Sequence, residues 1–392
     1  MNFNKINDRK NTHSIKWDGH AKMNIPDDCM PLWVADMDFQ TVPEVVSALS
    51  DLAQRGIYGY SFESDDYFQS IIGWMQRRHQ WTIEKEWIST TPGVVSAIHA
   101  CIQAFTQLGD AVMIQKPVYH PFAHAINGLD RKLVNNALIL KDDQYVIDFV
   151  DFERQIIDNQ VKLFILCSPH NPVGRVWTKE ELTAMADLCV KHQVLIVSDE
   201  IHMDFVFKPY HHHVLVDLHE NYKDHVITLT APSKTFNLAG LKLSNTIIAN
   251  QKLKKKMDKI YDDLSVHAGH SFGLAATQAA YDHGDAYVDE MVDYLYENLR
   301  FVDDFLKVHC PKIKIVQPQG LYLVWVDFRE LGLKDRELKN FLLTKAKLWL
   351  NDGLIFGREG SGFQRINIAT PKALIEKALN QLLSALKEEN LC

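Results

Sequence analysis

The chain has 392 residues, 46% of them hydrophobic and 23% charged, with a formal net charge of −8 at pH 7. That length holds more than one domain-sized unit and a large core, while the acidic balance argues against a nucleic-acid partner. No apolar run reaches the ~18 residues that a membrane span needs, so no membrane partner is expected.

The opening segment MNFNKINDRKNTHS is polar and lacks the apolar region of a signal peptide. Six cysteines, Cys29, Cys101, Cys167, Cys189, Cys310 and Cys392, are widely spaced, with no C-x-x-C pair. This pattern fits a reducing compartment without disulfides or a zinc ribbon, and a cytoplasmic location is expected. Gly93 precedes Val94, Val95, Ala97, Ile98, Cys101, Ile102 and Phe105, a helical stripe whose start is rich in small residues. Short, mostly apolar runs follow at 111–115, 163–167, 194–198, 226–229 and 246–249. They read as strands buried on both faces. Cys167 falls inside such a strand and reads as an inert thiol. Between the runs, Thr178-Lys-Glu-Glu181 opens a helix as a capping box, with Leu182, Met185, Ala186 and Cys189 as its apolar stripe. Strand–helix–strand at this spacing predicts parallel βαβ units with right-handed crossovers.

His211-His-His213 has no Cys or carboxylate at ligand spacing and reads as a solvated loop, with no metal site expected. Lys254-Lys-Lys256, followed by Asp258, Asp262 and Asp263, reads as a solvated helix face. After about residue 285 the texture changes. A long amphipathic helix at 288–306 leads to strands at 313–316, 320–327 and 364–368 and a closing helix at 371–388. The expected division is a large α/β domain at 51–285 and a small α+β domain at 286–392, joined by the N-terminal segment 1–50. Trp33 and Trp325 read as core or pocket wall.

Lys234 is the most informative residue. It follows the apolar run 226–229 in a small, polar loop with no acidic neighbour in sequence. In open α/β sheets, ligands bind beyond the carboxyl ends of the strands. Asn171 follows the strand 163–167 and Asp199 the strand 194–198, so an amide, a carboxylate and an amine converge if those strands are neighbours. A buried lysine without a partner loses its proton, and a neutral lysine is a nucleophile toward carbonyls. A carboxylate suits a pyridinium nitrogen and an amide suits a phenolate oxygen. Together they describe pyridoxal phosphate. Gly93-Val94-Val95 at a helix start offers backbone N–H groups to its phosphate; Ser233 and Lys242 could add a hydroxyl and a charge. Taken singly, Asp199-Glu200 also fits an N-cap pair, and Asn171-Pro172 a turn.

These residues carry a resemblance. The stretches PLWVADMDF (31–39), YGYS (58–61), TPGVV (91–95), KPVYHPF (116–122), SPHNPVGRVW (168–177), SDEIHMDF (198–205), SKTFNLAGLK (233–242), YLVWVDFR (322–329) and RINIATP (365–371) resemble the fold-type I pyridoxal-phosphate enzymes of the aspartate aminotransferase superfamily. More narrowly, the chain is similar to the cystathionine β-lyase, or C–S lyase, branch that includes the maltose-regulon modulator protein. The resemblance implies an aspartate-aminotransferase-like fold: a large domain with a mainly parallel seven-stranded sheet and a smaller α+β domain. Lys234 would hold pyridoxal 5'-phosphate as a Schiff base, Asp199 would pair with its ring nitrogen, Asn171 would bond its ring hydroxyl oxygen, and Tyr119 would stack on its face. Tyr60 would reach the phosphate in the other subunit of a homodimer. Arg365 would grip the substrate α-carboxylate, with Trp33 on the substrate side. His202 stands where the aminotransferases usually have a tyrosine bonding the cofactor hydroxyl. Lys242 stands where they have a phosphate-binding arginine, and Ala231 where a serine is common. The implied reaction is α,β-elimination from cystathionine or a related sulfur amino acid, as in methionine biosynthesis. An aminotransferase of aromatic or histidinol-phosphate type uses the same residues, and a regulatory role through an activator protein is known among relatives.

Overall fold

The computed structural model describes residues 1–266 and 269–391; Cys392 lies outside them. The centre is a seven-stranded sheet. Its strands in chain order are β1 (Ile88–Thr91), β2 (Ala111–Ile114), β3 (Lys132–Asn135), β4 (Leu163–Cys167), β5 (Leu195–Asp199), β6 (Val226–Thr230) and β7 (Ser244–Ile247). They lie side by side in the order β1-β7-β6-β5-β4-β2-β3. All run parallel except β7, which is antiparallel to both β1 and β6. The sheet is thus seven-stranded and mainly parallel, as the resemblance implied, and β1 and β3 add to the runs read from the sequence.

The apolar runs are strands because both faces are covered. Val112, Leu163, Ile165, Val197, Ile227 and Leu229 point to one face, against Ala97, Ile98 and Cys101 of the helix Val94–Phe105. Phe164, Leu166, Ile196 and Val226 point to the other, into the larger core shared with the helix Lys179–Lys191. Each such side chain contributes about 1.5–3 kcal/mol when fully buried. The Lys179–Lys191 helix starts at the predicted capping box, with Thr178 and Glu181 bonded reciprocally.

The 25-residue helix Asp285–His309 leads out of the large unit. Beyond it an antiparallel sheet places Lys314–Ile315, Leu323–Asp327, Phe363–Asn367 and Asn351–Asp352 in that order, backed by the helix Lys372–Glu388. Met30–Pro31 pairs in parallel with Leu348–Trp349, attaching the N-terminal segment to this smaller unit. A buried cluster fastens the same segment: Lys16 Nζ lies 2.8 Å from Asp38, which also accepts from Arg9 and from Trp17 Nε1.

Two local readings are corrected. Lys254 is not solvated: its aliphatic stem is buried on the helix Gln251–Leu264 and its amine pairs with Asp258 at 2.7 Å. His212 is likewise enclosed and bonds Glu200 at 2.7 Å. Cys29, Cys101, Cys167, Cys189 and Cys310 are buried. Among the described residues no helix is long and apolar enough to cross a membrane, and no group of three or more His, Cys, Asp or Glu side chains is placed to hold a metal ion.

Candidate active site

Strands β4, β5 and β6 are neighbours and end level with one another: Cys167 lies opposite Asp199, and Asp199 opposite Leu229. The chain leaves β4 for Asn171 and β6 for the helical turn Pro232–Thr235, which carries Lys234. Lys234, Asp199 and Asn171 therefore meet at one rim. With Tyr119, His202 and the start of the helix at Val94 they line a cavity of about 360 Å³. Gly93, Val94, Val95, Ser233 and Lys242 line it too.

The loop expected around Lys234 is a short helical turn, and its lack of acidic neighbours holds only in sequence. Thr235 beside it donates to Asp204 at 2.6 Å. The Lys234 amine donates to the Ala35 carbonyl at 2.7 Å. Burial, then the positive charge of Arg365, lower its pKa to about 8, against the opposite pull of Asp36 and Asp199. Asp199 is buried at the end of β5 and accepts from the Ile201 N–H at 3.2 Å. Burial pushes its pKa up to about 7, although that hydrogen bond and Lys234 pull the other way. One cause, removal from water, thus moves an acid up and a base down until both titrate near neutrality.

His202 is fully enclosed, and its Nδ1 has no hydrogen-bond partner. Burial, with Lys234 and Arg365 nearby, holds it well below the usual imidazole range, so it is neutral. A buried ring nitrogen without a partner at the cavity wall matches a ligand carrying its own hydroxyl or ring donor. Gly93, also on the cavity wall, caps the helix Val94–Phe105 with φ of +116°, a conformation other residues reach only under strain. Its position frees the first-turn N–H groups to face an anion, and Ser96 in that turn also lines the cavity. An anion cradle, a buried carboxylate and imidazole, Tyr119 and Lys234 around one cavity fit a phosphorylated pyridine aldehyde.

Arg365 and Trp33 are close by but do not line the cavity. Arg365 comes from the smaller unit, on the strand Phe363–Asn367. It donates to Asn171 Oδ1 and to the Trp33 carbonyl, each at 2.9 Å, and to Asn351. Burial lowers its pKa to about 10, which leaves it charged at neutral pH. Trp33 contributes that carbonyl and stacks its ring on Trp349 with centroids 4.4 Å apart. Tyr60 is not brought to the cavity of its own chain. It is fully exposed in a stretch where Ile57, Tyr58 and Phe62 are exposed as well.

Several participants escaped the sequence. Ala35 acts through its carbonyl, for which an alanine gives no signal. Ser96 did give one, a hydroxyl in the first turn after a glycine cap. Cys167 and Ile201 are apolar walls at positions beside the polar residues that drew attention.

A family model described as aminotransferase class I and II matches residues 27–382. The chain is 39% identical to the cystathionine beta-lyase PatB of Bacillus subtilis, over 98% of this chain and 100% of that protein. Among solved structures, cystalysin from Treponema denticola, which contains pyridoxal 5'-phosphate, matches with a TM-score of 0.95 at 39% identity over 98% of each chain. The pyridoxal-phosphate-bound C–S lyase from Staphylococcus hominis matches with a TM-score of 0.93 at 30% identity, again over 98% of each chain.

Proposed function

The chain belongs to the class I and II aminotransferase family, and on that premise we propose that it is a pyridoxal-phosphate-dependent carbon–sulfur lyase. Its substrate is cystathionine or a related sulfur amino acid, and the products from cystathionine are homocysteine, pyruvate and ammonia. The observation that carries the reading is the convergence of Lys234, Asp199 and Asn171 on one cavity beside an anion cradle. The lyase character is supported by relatives whose names specify C–S cleavage.

When bound, pyridoxal phosphate supplies an aldehyde carbon for amines and a ring that accepts the electron pair released at the substrate Cα. The residues of the chain do the rest. Lys234 holds the cofactor and, once free, takes the Cα proton. With a pKa of about 8 its amine is neutral in about one molecule in ten at pH 7, against about one in three thousand for an ordinary lysine. Asp199 keeps the proton on the ring nitrogen, which preserves the electron demand. Asn171, whose Oδ1 is taken by Arg365, offers its amide NH2 to the ring oxygen. Arg365 binds the α-carboxylate through the planar fork of its guanidinium. Thiolate leaves Cβ with the C–S electron pair, and water completes the conversion of the remaining fragment to pyruvate and ammonia. Tyr60 and its exposed neighbours suit a homodimer in which Tyr60 serves the partner's cavity.

The test is release of thiol and pyruvate from cystathionine, cysteine and other sulfur amino acids without any keto acid. Wild-type holoenzyme is expected to release both in equal amounts, and Lys234→Ala to release neither. Strict dependence on a keto-acid acceptor would instead identify transamination, and full activity in Lys234→Ala would remove the lysine from the chemistry.

A further inference from the structure

Behind the turn that carries Lys234 lies a buried carboxylate that none of the chemistry above uses. Asp204 accepts three hydrogen bonds: from Thr235 Oγ1 at 2.6 Å, His79 Nε2 at 2.8 Å and Trp74 Nε1 at 3.2 Å. Its side chain and that of His79 are only 5% and 6% exposed. None of Thr235, Asp204 and His79 lines the cofactor cavity. Asp204 and His79 face a separate groove of about 1010 Å³. The His79 ring, one of those donors, packs edge-on against His212 with centroids 5.9 Å apart. Burial alone would raise the Asp204 pKa, but the His79 and Thr235 bonds bring it below the usual carboxylate range, and it is ionised. A charged acceptor makes the Thr235 bond one of the strong class.

We propose that Thr235, Asp204 and His79 form a positioning brace that sets the direction of the Lys234 side chain. Thr235 is the residue after Lys234 and closes the four-residue turn that Pro232 opens. The front of the same segment is tied by Asn237, which bonds the backbone of Met37 and Phe39 in the loop that also presents the Ala35 carbonyl. The brace ties the back. From ordinary bond lengths a lysine side chain is a lever about 6 Å long, so a tilt of about 10° at the turn moves the amine by about 1 Å. Proton transfer at Cα is sensitive to that distance, whereas binding of the substrate through Arg365 is not.

The inference rests on Lys234 being the cofactor-bearing lysine. Its test is Thr235→Val in the holoenzyme, which removes the hydroxyl at nearly constant volume. The expected result is unchanged cofactor content and a fall in kcat for pyruvate release of about 10- to 100-fold. KM should stay within about twofold, since carboxylate binding is untouched. The pH midpoint of the bound cofactor's visible absorbance should rise, because a looser turn would let water reach the Lys234 nitrogen through which the cofactor is held and so favour its protonated form. Thr235→Ser, which restores the hydroxyl, should recover both values. Wild-type kcat and midpoint in Thr235→Val would overturn the brace, as would a Thr235→Ser enzyme as impaired as the valine variant. Asp204→Ala, which removes the acceptor that holds Thr235, should reproduce both changes; wild-type values there would also overturn it. Absence of pyruvate release by the wild type would sink the lyase reading, while the absorbance midpoint, which needs no substrate, would still decide the brace.

Discussion

Replacing Asp199 by asparagine should make the cofactor-free protein more stable and the holoenzyme less active. Asp199 is enclosed at the end of β5, and burial raises its pKa from an ordinary 3.8 to about 7. A displacement of about three pH units corresponds to about 4 kcal/mol. The sign follows from proton binding. Between pH 4 and 7 the folded chain keeps a proton on Asp199 that the unfolded chain has released. The stability this group contributes is fully present below about pH 4 and is lost as pH rises through about 7. Asparagine carries no charge and avoids that loss. It keeps an oxygen for the Ile201 N–H, but its new amide N–H2 is buried, which costs about 1–2 kcal/mol. The expected gain for the cofactor-free Asp199→Asn variant is therefore about 2–3 kcal/mol at pH 8, shrinking as pH falls toward 5. Urea unfolding followed by tryptophan fluorescence at pH 5, 6, 7 and 8 measures it. The same substitution removes the group that holds the ring nitrogen's proton, so pyruvate release should drop by about 100-fold or more. A variant that is no more stable than wild type at pH 8, or whose advantage does not change with pH, would refute the argument that Asp199 is held at an energetic cost for its role.

Two further outcomes are expected. Arg365→Lys keeps the charge but loses the fork that reaches Asn171, the Trp33 carbonyl and Asn351 together; KM for sulfur amino acids should rise by about 10- to 100-fold with a smaller change in kcat, and an unchanged KM in steady-state assays would take Arg365 out of carboxylate binding. Tyr60→Ala and Lys234→Ala should each be inactive or nearly so alone, yet mixing and refolding the two should restore activity, because a hybrid dimer then holds one site with native Lys234 and native Tyr60; no recovery, with hybrid dimers demonstrated by mass, would remove Tyr60 from the partner's site.

The parts of the molecule legible in sequence were those whose signal is local. The runs that became β4, β5 and β6 are mostly apolar because helices cover both faces, and the Thr178 cap announces its helix within four residues. The strand β1, Ile-Ser-Thr-Thr, hides because its hydroxyls mimic a loop; the fold satisfies them, Ser89 on Asp258, Thr90 on Glu63, and Thr91 with Ser244 across β1 and β7 at 2.6 Å. The edge strand β3 opens with exposed Lys132 and pairs on one side only. The reversal of β7 is invisible for a different reason: direction belongs to the connection, not to the residues of the strand.

The same division separates the site residues. Lys234, Asp199 and Asn171 stand within a few residues of strands that can be read, so their meeting follows from strand order. Arg365 meets Asn171 across 194 positions and the Trp33 carbonyl across 332; no pattern around Gln364-Arg-Ile-Asn-Ile368 forecasts either partner, and only resemblance assigned it. Lys254 and His212 were misread for the converse reason. Their neighbours in sequence are polar, but each has a carboxylate partner that makes enclosure affordable, Asp258 for the one and Glu200 for the other. A buried charge is stable only with such a partner; Asp258 stands one turn along the same helix and was in view, whereas Glu200 reaches His212 only through the fold, so polar neighbours alone do not establish solvation. Asp204 is the extreme case. Its donors come from the helix Asp65–His79 and from the turn after β6, and it becomes interesting only once the turn it anchors is known to carry Lys234.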